Sequence, residues 1–370
     1  MKLVYNFDGE SIPAWVQLLF WLIYMVIFVY AFKKTVLSWN RNKRYNDITW
    51  LFIVYFILYA IFYCVNDDYF QYRYWLYGFD FSYWGKEMFY VYAILFSRRL
   101  PFEYQFEVFR LIVWGGAFSI AYYIYRMYRG LLLPGLTLLL LFVFYSSAFC
   151  YGRASLAMAV YFLGIALYLG LGNKGVFLKI LGVVIAIFSY SFHHEMLVGI
   201  ALLPCLFIKF EKRSMSYFSL LGLVIAMIAL TYLSSYAQYL DSLFDNDELS
   251  SKVENFTEKE QGAFRLSTLI KYLDYFYPFF LITKHFWNRK VPYFIAGMYR
   301  ITYGILMASF AFMVVLGSRS VFSYRIMYIT MIPLALLISY GYYNKFFTKN
   351  QFLMMMLFAL LTNSIRFING

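Results

Sequence analysis

Three residues at the end of one apolar segment, His193, His194 and Glu195, have the types that proton transfer requires. Imidazole is the side chain best suited to accept a proton near neutral pH, and a neighbouring carboxylate can orient it. Adjacent residues on a helix point about 100° apart, so we expect only one of the two imidazoles to face a shared cavity. The segment therefore predicts a general base at His193 or His194, the alternative being a polar hairpin turn.

Arg153 follows Gly152 at the start of another apolar segment, where a glycine permits a tight turn. A cation in the first turn of a helix is disfavoured by the helix dipole, but free backbone N–H groups and a guanidinium there suit a phosphate. Arg325 repeats this pattern, and Arg319 precedes it. The arginines predict a clamp for pyrophosphate. The alternative is that Arg153 extends from the hydrocarbon to the membrane interface.

A third group of polar residues precedes a ring-rich segment. Asp67 and Asp68 could act as a base or hold sugar hydroxyls, and Tyr69 begins a run of aromatic residues that suits carbohydrate. Aromatic residues of this kind fit a headgroup belt equally well. Arg73 is a further cation that we expect on the same side of the membrane as the other candidates.

Several classes of chemistry lack a sequence signature. The histidine segment does not have the ligand spacing of a zinc site, and we expect no metal and no cofactor. The chain has no P-loop, no GxGxxG and no Gly-x-Ser-x-Gly motif. A soluble nucleotide-sugar donor is therefore unsupported, and a lipid-linked donor fits better.

The elements that must position these residues are membrane helices. The chain has 370 residues, of which 63% are hydrophobic and 14% charged, and its apolar stretches reach the length that crosses a bilayer. We predict an all-α polytopic protein with about 12 transmembrane helices, forming one transmembrane domain over residues 1–370. The predicted spans are 12–32, 48–65, 104–125, 132–149, 154–171, 176–192, 196–208, 216–238, 266–284, 293–316, 324–343 and 351–368.

The segment 87–96 is apolar but too short to cross, and we predict a re-entrant or interfacial helix there. With the N-terminus outside, every inner loop is then basic, and the candidate site lies outside between the outer loops 66–103 and 239–265. The net charge of +13 is explained by these inner loops, so we expect no nucleic-acid partner.

The ordered motifs resemble the EpsG-like branch of the bacterial O-antigen and exopolysaccharide polymerases, which are Wzy-type enzymes. The resemblance rests on five segments, in this order: Asn66-Asp67-Asp68-Tyr69, Gly85-Lys86-Glu87-Met88-Phe89, Gly152 to Ala159, Ser191-Phe192-His193-His194-Glu195, and Tyr324 to Tyr328. Met88 stands where members of the family often have proline, and Ala154 where they often have glutamine.

The resemblance implies a glycosyltransferase on the outer face of the bacterial cytoplasmic membrane. A hydroxyl of one lipid-linked repeat unit would attack a glycan held on undecaprenyl pyrophosphate, with the bilayer and a chain-length regulator as further candidate partners. The candidate residues divide into three groups: catalytic His193, His194, Asp67 and Asp68; pyrophosphate-binding Arg153, Arg325 and Arg319; and glycan-binding Tyr69, Arg73, Glu87 and Glu195.

Two other functions would use similar residues. A transporter or flippase for a lipid-linked glycan would also need arginines and rings, but should show pseudo-symmetric halves and a polar path through the membrane. A membrane O-acyltransferase that modifies a surface glycan would also need a histidine, together with a site for acyl-CoA on the inner side.

Overall fold

The computed structural model describes residues 14–32, 76–77, 87–128, 152–170, 175–217, 219, 221–225, 227–228, 266–287, 289–316 and 321–369. Within these ranges the regular structure is helical and there is no strand. This agrees with the predicted all-α class. A bilayer has no water to satisfy exposed backbone groups, so a spanning chain forms helices that bond internally.

The described residues form helices that are numbered here in chain order. They are α1 (Ala14–Phe32), α2 (Met88–Ser97), α3 (Phe102–Arg110), α4 (Gly116–Met127), α5 (Gly152–Gly170), α6 (Val176–Phe188), α7 (Met196–Ala201), α8 (Leu266–Phe286), α9 (Tyr293–Leu316), α10 (Val321–Tyr328), α11 (Met331–Tyr343) and α12 (Lys349–Asn369). A π-helical segment, Leu111–Gly115, joins α3 to α4, and two 3-10 segments, Ser189–Ser191 and Leu203–Phe207, flank α7.

In the described part of the chain, three helical stretches are long and apolar enough to cross a membrane: Phe102–Met127, Gly152–Gly170 and Tyr293–Val314. They support a membrane protein, but not the predicted number of about 12 spans. The predicted span 196–208 is instead α7 followed by a 3-10 segment, and 324–343 is divided between α10 and α11. The predicted spans 48–65 and 132–149 and the whole of the loop 239–265 lie outside the described residues.

Helix α2 has ten residues and is therefore about 15 Å long, half the thickness of the hydrocarbon layer. It cannot cross a bilayer by itself, as the sequence predicted for the segment 87–96. Glu87 immediately precedes its first residue. The short helix thus places a carboxylate at its N-terminal end.

Helix α5 is almost entirely buried and packs most extensively against α6. The two backbones approach closely because Gly164 faces Gly182 and Ala186: a Cβ atom on Gly164 would lie 2.4 Å from the backbone nitrogen of Ala186. Small residues at such a crossing let two helices meet without a hydrophobic driving force between them. This contact fixes α6, and with it the turn that carries the two histidines, relative to the start of α5.

Candidate active site

The carboxylate of Glu87 is the centre of a cluster of ionisable side chains from three parts of the chain. Its Oε2 atom accepts a hydrogen bond of 2.6 Å from Nη1 of Arg153, which is the second residue of α5. Its Oε1 atom lies 2.7 Å from Nδ1 of His193 and 3.0 Å from Nδ1 of His194. One carboxylate therefore holds the predicted anion-binding arginine and both candidate bases.

The cluster continues through His193 to a second carboxylate and a second arginine. Nε2 of His193 lies 3.2 Å from Oε2 of Glu195, and the other oxygen of Glu195 accepts a hydrogen bond of 2.5 Å from Nη1 of Arg325. The order of contacts is Arg153, Glu87, His193, Glu195 and Arg325. The two arginines of the predicted clamp are thus linked by an unbroken series of charged groups.

The contacts determine the charge of His193. Ionised carboxylates only accept hydrogen bonds, so an imidazole between Glu87 and Glu195 needs a proton on both nitrogens. Burial opposes this charge, but the hydrogen bonds and charges of Glu195 and Glu87 outweigh it and raise the pKa of His193 above its usual value. His193 is therefore an imidazolium that donates to both carboxylates.

Both carboxylates stay ionised although they are buried. Burial raises the pKa of Glu87, but hydrogen bonds from His193 and His194 and the charge of Arg153 outweigh burial and hold that pKa well below its usual range. For Glu195, burial is likewise outweighed, here by His193 and Arg325, and the pKa falls to about 2. At neutral pH both side chains are anions.

The exposed parts of the cluster are its two arginines and His194. The side chain of Arg153 is 26% exposed and that of Arg325 is 42% exposed, whereas both carboxylates are buried. With His193 protonated, the cluster has three positive and two negative charges, a net charge of +1. Solvent therefore meets two guanidinium groups on a buried, fixed framework, an arrangement suited to an anion with several oxygens.

Short contacts hold α2 against the other two segments of the cluster. The ring of Phe89 stacks on the ring of Phe192 at 4.1 Å, and the hydroxyl of Tyr90 donates to the backbone carbonyl of Arg153 at 3.0 Å. These two residues follow Glu87 at the start of α2. The helix is thereby fixed both to the histidine turn and to the first turn of α5, so that Glu87 reaches both.

The start of α5 is fixed from its other side by Trp114. A Cβ atom at Gly152 would lie 2.6 Å from the indole ring, so only glycine allows this contact without a shift. Trp114 belongs to the π-helical segment Leu111–Gly115, and such one-residue insertions turn the following side chains away from their regular positions. The sequence predicted a tight turn at Gly152 but gave no sign of this packing role.

The expectation that only one histidine would face the site is wrong. His193 and His194 lie in the turn between a 3-10 segment and α7, not in a helix, and both Nδ1 atoms reach the same oxygen of Glu87. The two residues differ in exposure instead: the side chain of His193 is 7% exposed and that of His194 is 57% exposed. His194 is therefore accessible to a substrate, whereas His193 is not.

The predicted position of Arg325 also requires correction. It lies in the last turn of α10, because the helix begins at Val321 and is interrupted after Tyr328, and not in the first turn of a longer span. A helix N-terminus therefore does not contribute at this arginine. Its contact with Glu195 positions it instead.

Three groups of the cluster could in principle ligate a divalent ion. Glu87, His193 and His194 each offer an atom within 4.8 Å of the others. A metal at this position would require His193 to lose its proton and would lie beside the guanidinium of Arg153, whose hydrogen bond to Glu87 it would oppose. The charge of the cluster favours an anion over a cation.

Several predicted site residues lie outside the described residues: Asp67, Asp68, Tyr69, Arg73 and Arg319. Those that are described, Glu87, Arg153, the histidine pair, Glu195 and Arg325, lie together. Glu87, for which glycan binding stays a prediction, contacts the arginine and the histidines. Tyr90 and Trp114 were missed, since no feature of the sequence separates them from the many other aromatic residues.

Buried carboxylates that hold arginines and histidines among apolar helices are typical of an all-helical membrane protein with a polar functional site. The sequence model of the EpsG family matches residues 47–369, and the chain belongs to this family, which confirms the resemblance seen in the sequence. No curated protein and no solved structure matches the chain. Family membership indicates a polymerase-like role in polysaccharide synthesis.

Proposed function

We propose that this protein is a glycan polymerase that uses a lipid-pyrophosphate donor at the outer face of the bacterial cytoplasmic membrane. The reaction transfers a glycan from undecaprenyl pyrophosphate to a hydroxyl of a second lipid-linked repeat unit. The observation that carries the proposal is the double contact of Glu87, which places an arginine and an exposed imidazole on one buried carboxylate. A leaving-group site and a proton acceptor thereby lie side by side.

In this proposal Arg153 and Arg325 bind the pyrophosphate. A guanidinium offers up to five N–H donors in a planar fork, and the charge on the leaving oxygen grows as the glycosidic bond breaks. Glu87 and Glu195 hold the two forks before substrate arrives, so little reorganisation is needed during the reaction. Electrostatic stabilisation of this kind needs no metal ion.

His194 is the proposed base and His193 the positioning residue. Nδ1 of His194 donates to Glu87, which leaves Nε2 of a neutral ring as an acceptor, and this side chain is more than half exposed. His193 is buried and uses both nitrogens on carboxylates, so it has no atom available to accept the substrate proton. Asp67 and Asp68 are the alternative bases.

The proposed transfer forms one bond to the anomeric carbon and breaks another. The acceptor oxygen forms a bond to the anomeric carbon, its proton passes to Nε2 of His194, and the bond from that carbon to the phosphate oxygen breaks. Lipid pyrophosphate leaves with the electron pair and is held by the arginines. A chain-length regulator, if it acts here, would control how often this cycle repeats on one glycan.

The test uses the purified full chain in lipid nanodiscs with lipid-linked repeat units, and the products are separated by size. The wild type should give a ladder of longer glycans. His194→Gln should lower the rate about 10²–10⁴-fold, while Arg99→Gln, an exposed cation outside the cluster, should not. Acylated units of unchanged length, or units that only change leaflet, would replace the polymerase with an acyltransferase or a flippase.

A further inference from the structure

Three of the described segments meet at the end of the helical bundle opposite the Glu87 cluster. Helix α5 begins at the cluster and runs for 19 residues, which places its far end about 27 Å away. At that level the structure brings together the segments 206–217, 284–293 and 343–349, which we call the basic end. Arg300 of α9 reaches this level as well and donates to the backbone carbonyl of Leu206 at 3.0 Å.

Side-chain contacts join the three segments into one surface. The guanidinium of Arg213 lies 5.8 Å from the ring of Trp287, whose indole N–H donates to Ser216 at 3.1 Å. The guanidinium of Arg289 lies 5.5 Å from the ring of Phe346. The first contact connects the first segment to the second, and the last connects the second to the third.

This surface is strongly cationic. Its exposed cations are Lys209, Lys212, Arg213, Lys284, Arg289, Lys290, Lys345 and Lys349. The described residues of these segments include one acidic side chain, Glu211, and it accepts hydrogen bonds from the buried guanidinium of Arg300. The negative charge of Glu211 is therefore neutralised by Arg300 inside the protein. It does not offset the positive charges of the exposed lysines and arginines.

Exposed apolar rings lie among these cations. Phe207, Tyr217, Tyr293 and Tyr343 are all more than half exposed and stand within or beside the same segments. A surface that binds only an acidic soluble partner needs exposed cations but does not need exposed aromatic rings beside them. Rings and cations together are typical of the boundary between acyl chains and lipid headgroups.

We propose that the basic end is a binding surface for the headgroups of anionic phospholipids in the leaflet that it faces. The general bias of inner loops toward basic residues requires cations in each loop, but it does not require loops to converge. Here they converge on Trp287 and Phe346, whose rings contact the guanidinium groups of Arg213 and Arg289 and so bring cations from separate segments onto one surface that headgroup phosphates can bind. The surface is independent of the reaction at the Glu87 cluster.

The test measures quenching of Trp287 by brominated lipids. The full chain is placed in nanodiscs of phosphatidylcholine that contain either brominated phosphatidylglycerol or brominated phosphatidylcholine. The contribution of Trp287 is the difference between the wild type and Trp287→Phe. We expect stronger quenching by the anionic lipid, and a preference that falls about fivefold for each cation removed in Arg213→Gln and Arg289→Gln.

Arg99→Gln is the matched control, because it removes an exposed cation from the turn after α2, away from the basic end. Equal quenching by the two lipids would overturn the proposal, as would an equal loss of preference in Arg99→Gln. If Trp287→Phe fails to fold, native mass spectrometry of the two arginine variants counts retained phosphatidylglycerol directly. Unchanged retention in both variants would overturn the proposal too.

Discussion

Glu87 and Arg153 form an ion pair of 2.6 Å although they are 66 positions apart in the chain. The carboxylate is buried, and the guanidinium is partly open to solvent. The pair therefore combines a fixed internal anchor with an exposed cationic group. The carboxylate and the guanidinium can each be replaced separately by mutation, so their contributions can be measured one at a time.

Replacing the anchor should disable the site. Glu87→Gln keeps the shape of the side chain but removes the charge that faces Arg153, His193 and His194. Breaking one partner of a buried ion pair costs about 3–5 kcal/mol, so the melting temperature in detergent should fall together with polymer formation. Glu103→Gln, an exposed acid in the first turn of α3, is the control and should change neither.

Replacing either arginine with lysine should also stop polymer formation. Arg153→Lys and Arg325→Lys retain a positive charge but lose the planar fork that binds two phosphate oxygens together. We expect protein levels near normal and polymer reduced at least about tenfold in each variant, measured as glycan ladders from cells. Near-normal ladders in Arg153→Lys would indicate that Arg153 only extends from the hydrocarbon to the membrane interface and does not bind pyrophosphate. Arg99→Lys serves as the reference.

The stability of the protein should depend on pH in a direction set by His193. Its folded pKa is raised, so its contribution is complete below the unfolded value of about 6.5 and is lost as pH rises through the higher folded value. Glu195 acts in the opposite direction: its contribution is present above about 4.5 and is lost as pH falls toward about 2. The two effects together predict greatest stability between about pH 4.5 and 6.5.

The measurement is the melting temperature from pH 4 to pH 10 for the wild type and for His193→Gln. The difference in melting temperature between the two proteins should be largest below about pH 6.5 and should shrink at alkaline pH. His194→Gln should not reproduce this pattern, because its side chain is mostly exposed. A difference that stays constant up to pH 10 would show that His193 is not a bridging imidazolium.

The crossing of α5 and α6 should be sensitive to a single methyl group. Gly164→Ala would place a Cβ atom 2.4 Å from the backbone of Ala186, which neither backbone can avoid without moving. Overpacking of this kind costs about 1–3 kcal/mol. Gly222→Ala is the matched control, because a Cβ atom there meets nothing within 4 Å. Equal melting temperatures for the two variants would contradict the close crossing.

The sequence indicated which residues lie in the cluster better than it indicated which of them contact one another. Arg153 was correctly placed at the start of a helix, because glycine followed by an apolar run marks such a boundary. The histidines were correctly placed in a turn, between the predicted spans 176–192 and 196–208, but the directions of their side chains were wrongly judged by helical geometry. The central position of Glu87 depends on contacts with residues 66 to 107 positions away, and periodicity carries no information about such pairs.

The assembly of the cluster from distant parts of the chain has a consequence for biogenesis. Glu87 enters the membrane early in synthesis, whereas Arg325 follows only after more than two hundred further residues. Glu195 gains its second cation only when α10 has been inserted beside the histidine turn. A ribosome-bound fragment that ends before residue 325 therefore holds an incomplete cluster, and the nascent protein should remain unable to bind the proposed lipid donor until synthesis is nearly finished.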